Sequence, residues 1–174
     1  MKSRSQLHTL LKDPKTAIVA EIGCAEGYFS ADICRWGIKK LYMVDNWHKI
    51  EGQKGDGNFE NDWHNKNYND AMERVAGFNV EVLRGISWNM ADKIPDNSLD
   101  LVYIDCCHMY ECVVEDLKAY YPKVKSGGIV AGHDINNTAY GVERAVHEFC
   151  NSIGQAVNII PEHGIDASFY FFKP

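Results

Sequence analysis

Ala17-Ile18-Val19-Ala20-Glu21-Ile22-Gly23-Cys24-Ala25-Glu26-Gly27-Tyr28-Phe29-Ser30 is the stretch whose reading decides the fold. A mostly apolar run leads into a carboxylate, two glycines follow four residues apart, and a helix-like run begins after them. This is the pattern of a buried parallel strand opening into a tight, ligand-facing turn. Glycine there lets the backbone take angles closed to other residues and lets a ligand approach closely.

Outward from this stretch, strand and helix patterns alternate. Strands are predicted at residues 17–22, 41–44, 79–84, 100–104, 128–131, 156–160 and 168–172. Helices are predicted at 27–36, 62–76, 110–121 and 138–150, with a short N-terminal helix carrying Leu7, Leu10 and Leu11. Such alternation predicts an α/β fold, a doubly wound and mostly parallel sheet with helices on both faces. The last two strands are expected to pair antiparallel across Pro161–Ala167. At 174 residues with no visible linker or repeat, the expectation is a single domain over residues 1–174.

Composition excludes several function classes. The net charge of −6 argues against nonspecific binding to nucleic acid or to an anionic membrane surface. No apolar run approaches the roughly 18 residues of a transmembrane helix, and the N-terminus has no signal-peptide core. A cytoplasmic location is the expectation. The six cysteines, Cys24, Cys34, Cys106, Cys107, Cys112 and Cys150, are irregularly spaced without a CxxC pair. They are expected to be reduced thiols, several filling the core. A zinc site from Cys107, His108 and Cys112 finds no second Cys/His pair to support it.

In a doubly wound sheet, ligands bind beyond the carboxyl ends of the strands, where strand order reverses. Gly23 and Gly27 follow the first predicted strand, Asp45 ends the second, and Gly85 and Ser87 follow the third. Asp105 and His108 follow the fourth, and His133 and Asp134 end the fifth. Asp45 is placed to accept both hydroxyls of a ribose, since a carboxylate is an acceptor-only group. The turn lacks the middle glycine of the dinucleotide fingerprint GxGxxG, and Glu26 puts negative charge where a pyrophosphate would lie. The same electrostatics suit S-adenosyl-L-methionine, whose sulfonium and ammonium are cationic, and Glu21 adds a further carboxylate.

Were the fourth and fifth strands neighbours, Asp105 and Asp134 would end about 5 Å apart. Two hard oxygen donors at that spacing can hold Mg²⁺ or another divalent cation. His133 is a nitrogen alternative ranked below Asp134, and Asn136 a further oxygen candidate. His108 is placed to act as general base toward an acceptor hydroxyl whose pKa the metal lowers. The segment from Asn46 to Asn61, with Gly52, Gly55 and Gly57, reads either as a lid or as a solvated loop.

Glu21-Ile22-Gly23-Cys24-Ala25-Glu26-Gly27, with Asp45, resembles the first motif and second-strand acid of the class I S-adenosylmethionine-dependent methyltransferases. Asp105-Cys106-Cys107-His108-Met109-Tyr110, then Asp116-Leu117, Gly127-Gly128 and Gly132-His133-Asp134, is similar to a D-x-x-H-x-Y…D-L…G-G…G-H-D subgroup. That subgroup includes metal-dependent sugar O-methyltransferases. The resemblance implies a seven-stranded, Rossmann-like sheet with an antiparallel last strand. It also implies metal at Asp105 and Asp134, a base at His108, and adenine contacts at Gly85, Ile86 and Ser87. The chain departs from the pattern at Ile86, where an acid is usual, at Cys106-Cys107 in place of a glycine-containing pair, and at His133, where some members carry a carboxylate.

The function expected is O-methylation of a small-molecule acceptor. The alternatives are a metal-independent methyltransferase, a non-catalytic cofactor-binding module and, disfavoured by the turn, a dehydrogenase. A sheet edge or the N-terminal helix offers a surface for a homodimer.

Overall fold

The computed structural model describes residues 1–51, 58–162 and 166–174. Among them, seven strands form one sheet: β1 (Ile18–Ile22), β2 (Lys40–Asp45), β3 (Val80–Arg84), β4 (Leu99–Ile104), β5 (Val124–Gly132), β6 (Asn158–Ile160) and β7 (Ser168–Phe172). Their spatial order is β3-β2-β1-β4-β5-β7-β6. β1 to β5 are parallel, and β7 runs antiparallel between β5 and β6. The helices are α1 (Tyr28–Arg35), α2 (Asn61–Arg74), α3 (Ser87–Met90), α4 (Tyr110–Tyr120) and α5 (Val142–Ser152). The predicted doubly wound sheet with an antiparallel last strand is therefore the observed one. No helix among the described residues is long and apolar enough to cross a membrane.

Both faces of the parallel strands are covered, so alternate residues feed two cores. Val19, Leu41, Met43, Leu101 and Tyr103 pack with Ile33 of α1 and Ala71 of α2. Ala20, Ile22, Val44, Val102 and Ile104 pack with Leu117 of α4 and Val146 of α5. The N-terminal leucines form a 3-10 helix (Arg4–Leu10) rather than an α-helix, and Leu7 is buried against the first of these cores.

Two predicted element starts move because contacts distant in sequence set them. α5 starts at Val142 rather than Thr138. The Gly141 N–H is bonded to the His108 carbonyl at 2.8 Å, and the Gly141 Cα lies against Tyr110, which pins both helix starts together. β5 starts at Val124, four residues early, because it pairs with β4 from Leu99 through an irregularity in register. The short α3 has no sequence signal, being too brief to show helical periodicity.

The order of strands reverses between β1 and β4, which opens a crevice at their carboxyl ends. Gly23 sits in it with φ +88°, and a Cβ there would meet the Asp105 carbonyl oxygen at 2.1 Å. Gly37 also has positive φ (+77°) but faces open space. Replacing Gly37 with Ala is expected to cost about 1–2 kcal/mol for the left-handed backbone alone. Gly23→Ala adds a backbone collision and should cost roughly 3 kcal/mol or more. Urea unfolding of the two variants checks the ranking; equal losses would show that β4 does not crowd the turn.

Candidate active site

The turn after β1 is held from β2. The Gly23 N–H donates to the Val44 carbonyl at 2.8 Å. Asp45 Oδ2 accepts from the N–H groups of Cys24 (2.8 Å) and Ala25 (2.9 Å), while Oδ1 accepts from Trp47 N–H (2.9 Å). A carboxylate has about four acceptor positions, so Asp45 organises the turn and retains capacity for a ligand. The Gly27 N–H closes the turn on the Cys24 carbonyl at 2.7 Å, and Gly27 packs on Ala71. Trp47, buried, donates from Nε1 to the Ala25 carbonyl at 2.8 Å and fixes the near end of the segment read as lid or loop. The glycines of that segment, Gly52, Gly55 and Gly57, lie outside the described residues.

Glu21 points from β1 toward α1 and is buried, with Ser30 Oγ donating to its Oε2. Burial pushes its pKa up to about 8, and the Ser30 hydrogen bond opposes that only in part. The Cys24 thiol beside it is also pushed up, first by burial and then by Glu21 and Asp45.

At the ends of β4 and β5, four titratable groups converge. His108 Nε2 lies 3.0 Å from Asp134 Oδ2 and 3.5 Å from Asp105 Oδ1. His133 Nδ1 lies 3.4 Å from Asp134 Oδ2 but 3.9 Å from Asp105 Oδ1. Burial disfavours charge on His108, but Asp105 and Asp134 outweigh it and hold its pKa up at about 10. Burial also works against ionised Asp134, yet His108 and His133 pull its pKa well below the usual carboxylate range. His133 is shifted up by Asp134 and Asp105 against the same desolvation. Although Nε2 of His108 is close to both acids, it makes no directed hydrogen bond among the described residues. The contacts are therefore ion pairs with an orphaned buried nitrogen between them. That nitrogen and the carboxylate oxygens of Asp105 and Asp134 lie within 4.8 Å of one another, a set that fits a divalent cation.

The turn, the Asp105–His108 loop and the Gly85-Ile86-Ser87 loop line one cavity of about 1000 Å³. That is at the upper end of the roughly 300–1,000 Å³ usual for small-molecule sites. α4 supports both of the latter loops: Tyr120 OH donates to the Ser87 carbonyl at 2.6 Å, and buried Asp116 accepts from Cys106 Sγ at 2.9 Å. Tyr140 stacks on the His108 ring with centroids 4.6 Å apart.

Residues 20–135 match the family described as a methyltransferase domain, two thirds of the chain. The chain belongs to that family. It is a methyltransferase. The methyltransferase is 26% identical over 185 residues to an uncharacterized protein of Acanthamoeba polyphaga mimivirus, covering 90% of this chain and 78% of the other. The O-methyltransferase NovP has the same fold at 19% identity and TM-score 0.65, covering 97% of this chain and 75% of its own. A Methanobacterium thermoautotrophicum protein solved as precorrin 8w decarboxylase shares it at 16% identity and TM-score 0.69, covering 98% and 89%. These structural likenesses show the fold alone.

All the sequence-predicted residues of the methyltransferase fall at the carboxyl ends of β1 to β5, and Glu21, Gly23, Asp45, Gly85, Ile86, Ser87, Asp105 and His108 line the cavity. Asp134 joins the cluster through His108, and His133 stands at its edge. Asn136 turns away from it, its Oδ1 accepting from Ala167 N–H at 2.6 Å. Cys107 Sγ approaches Cys112 Sγ at 2.6 Å, and all six cysteines are free.

Arg4 and Asn67 line the cavity without a counterpart in the sequence reading, and His64 enters that reading only as the far end of a Trp47–His64 stretch taken as a lid or a solvated loop. His64 (7% exposed) and Asn67 (3%) continue the buried stripe of α2 that Ala71 begins, and His64 Nε2 and Asn67 Nδ2 have no partner among the described residues. A polar pair at positions that periodicity assigns to the core was the available signal.

Glu21 yields a pH prediction. Between its ordinary 4.5 and the folded value of about 8, the folded protein holds a proton that the unfolded chain releases. This contribution to stability is full below the lower value and is lost as pH rises through the upper one. Glu21→Gln should therefore flatten the dependence of melting temperature on pH across that window. Parallel slopes for variant and wild type would place the Glu21 proton elsewhere.

Proposed function

We propose that the methyltransferase transfers the methyl group of S-adenosylmethionine to a hydroxyl oxygen of a small molecule, assisted by a divalent cation. The observation that carries this reading is the Asp105–His108–Asp134 cluster, two of whose members, Asp105 and His108, line the same cavity as the Gly23 turn. Gly23, Gly27 and Asp45 hold the nucleoside and sulfonium end, the protonated Glu21 carboxyl backs the turn, and Gly85, Ile86 and Ser87 flank the adenine. Ile86, 39% exposed, offers an apolar surface there rather than a hydrogen bond.

Asp105 and Asp134 would hold the cation, with His133 at the edge of the set, and it would lower the pKa of the acceptor hydroxyl when bound. Two carboxylates are hard oxygen donors that suit Mg²⁺ or Mn²⁺, and they would leave Nε2 of His108 free of the cation. His108 takes the hydroxyl proton at Nε2 as the oxygen attacks the methyl carbon and the neutral thioether leaves. It can do so only when neutral, and the two carboxylates that keep it protonated are the ones a cation would engage. Stacking on Tyr140 keeps the ring in place. Much of the acceleration comes from alignment of the two reactants. NovP, named an O-methyltransferase, supports the oxygen acceptor by analogy of fold.

Calorimetric titration with S-adenosylhomocysteine tests the cofactor site; saturable heat is expected, and its absence at high concentration would overturn the reading. Titration with Mn²⁺ at neutral pH should release about one proton per ion, because His108 gives up its charge. Buffers of different ionisation enthalpy measure that release. Asp105→Asn and Asp134→Asn should each abolish it, and unchanged Mn²⁺ affinity in both would remove the metal from the mechanism.

A further inference from the structure

The cavity is acidic. Glu26, Asp45, Glu51 and Asp105 contribute carboxylates to its lining, with the protonated Glu21 behind them, and among the described residues one arginine and no lysine does: Arg4. S-adenosylmethionine carries two cationic centres, which such a wall suits, and one carboxylate, which it repels. We propose that Arg4, delivered by the N-terminal 3-10 helix, binds the carboxylate of the amino-acid arm of the methyl donor. The inference rests on the cofactor site proposed above.

Position supports this assignment. The nucleoside end lies toward β2 and β3, at Asp45 and the 85–87 loop. The sulfonium must lie near the Asp105–His108 cluster for transfer. The amino-acid arm then projects past Gly23 toward β4 and α1. Arg4 waits on that side: its guanidinium carbon stands 4.7 Å over the Phe29 ring of α1, and Nη1 is 3.1 Å from Asp105 Oδ2 and 3.2 Å from Tyr103 OH.

The guanidinium has donors to spare. Both side-chain hydrogen bonds use Nη1, and among the described residues Nε and Nη2 have no partner. A planar fork of this kind matches a carboxylate better than the point charge of a lysine. The arm is also set in place beforehand. Leu7 is buried in the core, and the Arg4 N–H donates to Glu162 Oε1 at 3.1 Å. Glu162 in turn accepts from Ser168 Oγ at 2.6 Å, which ties the arm to β7. The ligand thus meets a cation whose ordering is already complete.

The test compares two nucleosides that differ in this arm. S-adenosylhomocysteine carries the amino acid, and 5′-methylthioadenosine lacks it. Calorimetry with wild type, Arg4→Gln and Arg4→Lys is expected to show S-adenosylhomocysteine weakened roughly tenfold or more by Gln. Lys should recover part of the loss, and 5′-methylthioadenosine should bind all three proteins within about twofold. Equal loss of both nucleosides would mean that Arg4 only maintains the fold of the site. Unchanged S-adenosylhomocysteine affinity in Arg4→Gln would assign the carboxylate to another group. Failure of both nucleosides to bind wild type is a separate result, and it would overturn the cofactor site itself along with the role of Arg4.

Discussion

The site depends on one carboxylate gripping a turn. Asp45 takes three backbone N–H groups from two segments, Cys24 and Ala25 after β1 and Trp47 after β2. Three donors without strand or helix partners are thereby satisfied at the mouth of a crevice, and for the two part-buried ones, on Cys24 and Trp47, going unpaired would cost up to about 1–3 kcal/mol each. The grip lets the chain pass so close to β4 that a hydrogen is all that fits at Gly23. Moving Asp45 would release the turn, the Trp47 anchor and the spacing to Asp105 together. A ligand acceptor role at Asp45 and this structural role use different lone pairs of the same group, so the two readings of that residue coexist.

The sheet was legible because each parallel strand is buried on both faces and ends at a turn signal. β7 matched its predicted bounds, and β1 to β4 shifted by a residue at most at each end. Legibility failed where tertiary contact sets an element's start. Thr138–Gly141 has nothing locally against helix, but the Gly141 N–H is committed to the His108 carbonyl, and that bond spans 33 residues of chain. α3 exists because α4 offers Tyr120 to the Ser87 carbonyl, another pairing that no local window contains. Within the site, the strand-end rule found the acids and histidines, since topology alone places strand ends together. It could not find Arg4, which enters from a segment outside the alternating pattern, nor His64 and Asn67, which lie on a helix flank instead of a strand end.

Charge balance explains how Glu21, Asp45, Asp105 and Asp134 stand close together at the strand ends. Each is neutralised differently. Glu21 keeps its proton because burial makes the anion costly. Asp45 spends its charge on backbone dipoles. Asp134 is paired by two histidines, and Asp105 is divided, with Oδ2 toward Arg4 and Oδ1 toward His108. Without a ligand the cluster is thus compensated by protons and a guanidinium. Cationic ligands can enter by replacing those protons, which links binding to pH.

The division of Asp105 gives this compensation a direction. One oxygen faces the cation and acceptor side, the other faces the N-terminal arm, and the same residue's main chain crowds Gly23. In the proposed reading, a methyl donor whose carboxylate takes the Nε and Nη2 side of Arg4 shares the guanidinium charge with Asp105 Oδ2, which keeps Nη1. Asp105 is then less fully paired by Arg4 and more available to the cation side. The converse follows from linkage, because any coupling between two binding equilibria is reciprocal. A cation that engages Asp105 weakens its hold on Arg4 and frees the guanidinium for the donor. The two cosites would reinforce each other through a single carboxylate with two faces, without displacement of the sheet that carries it.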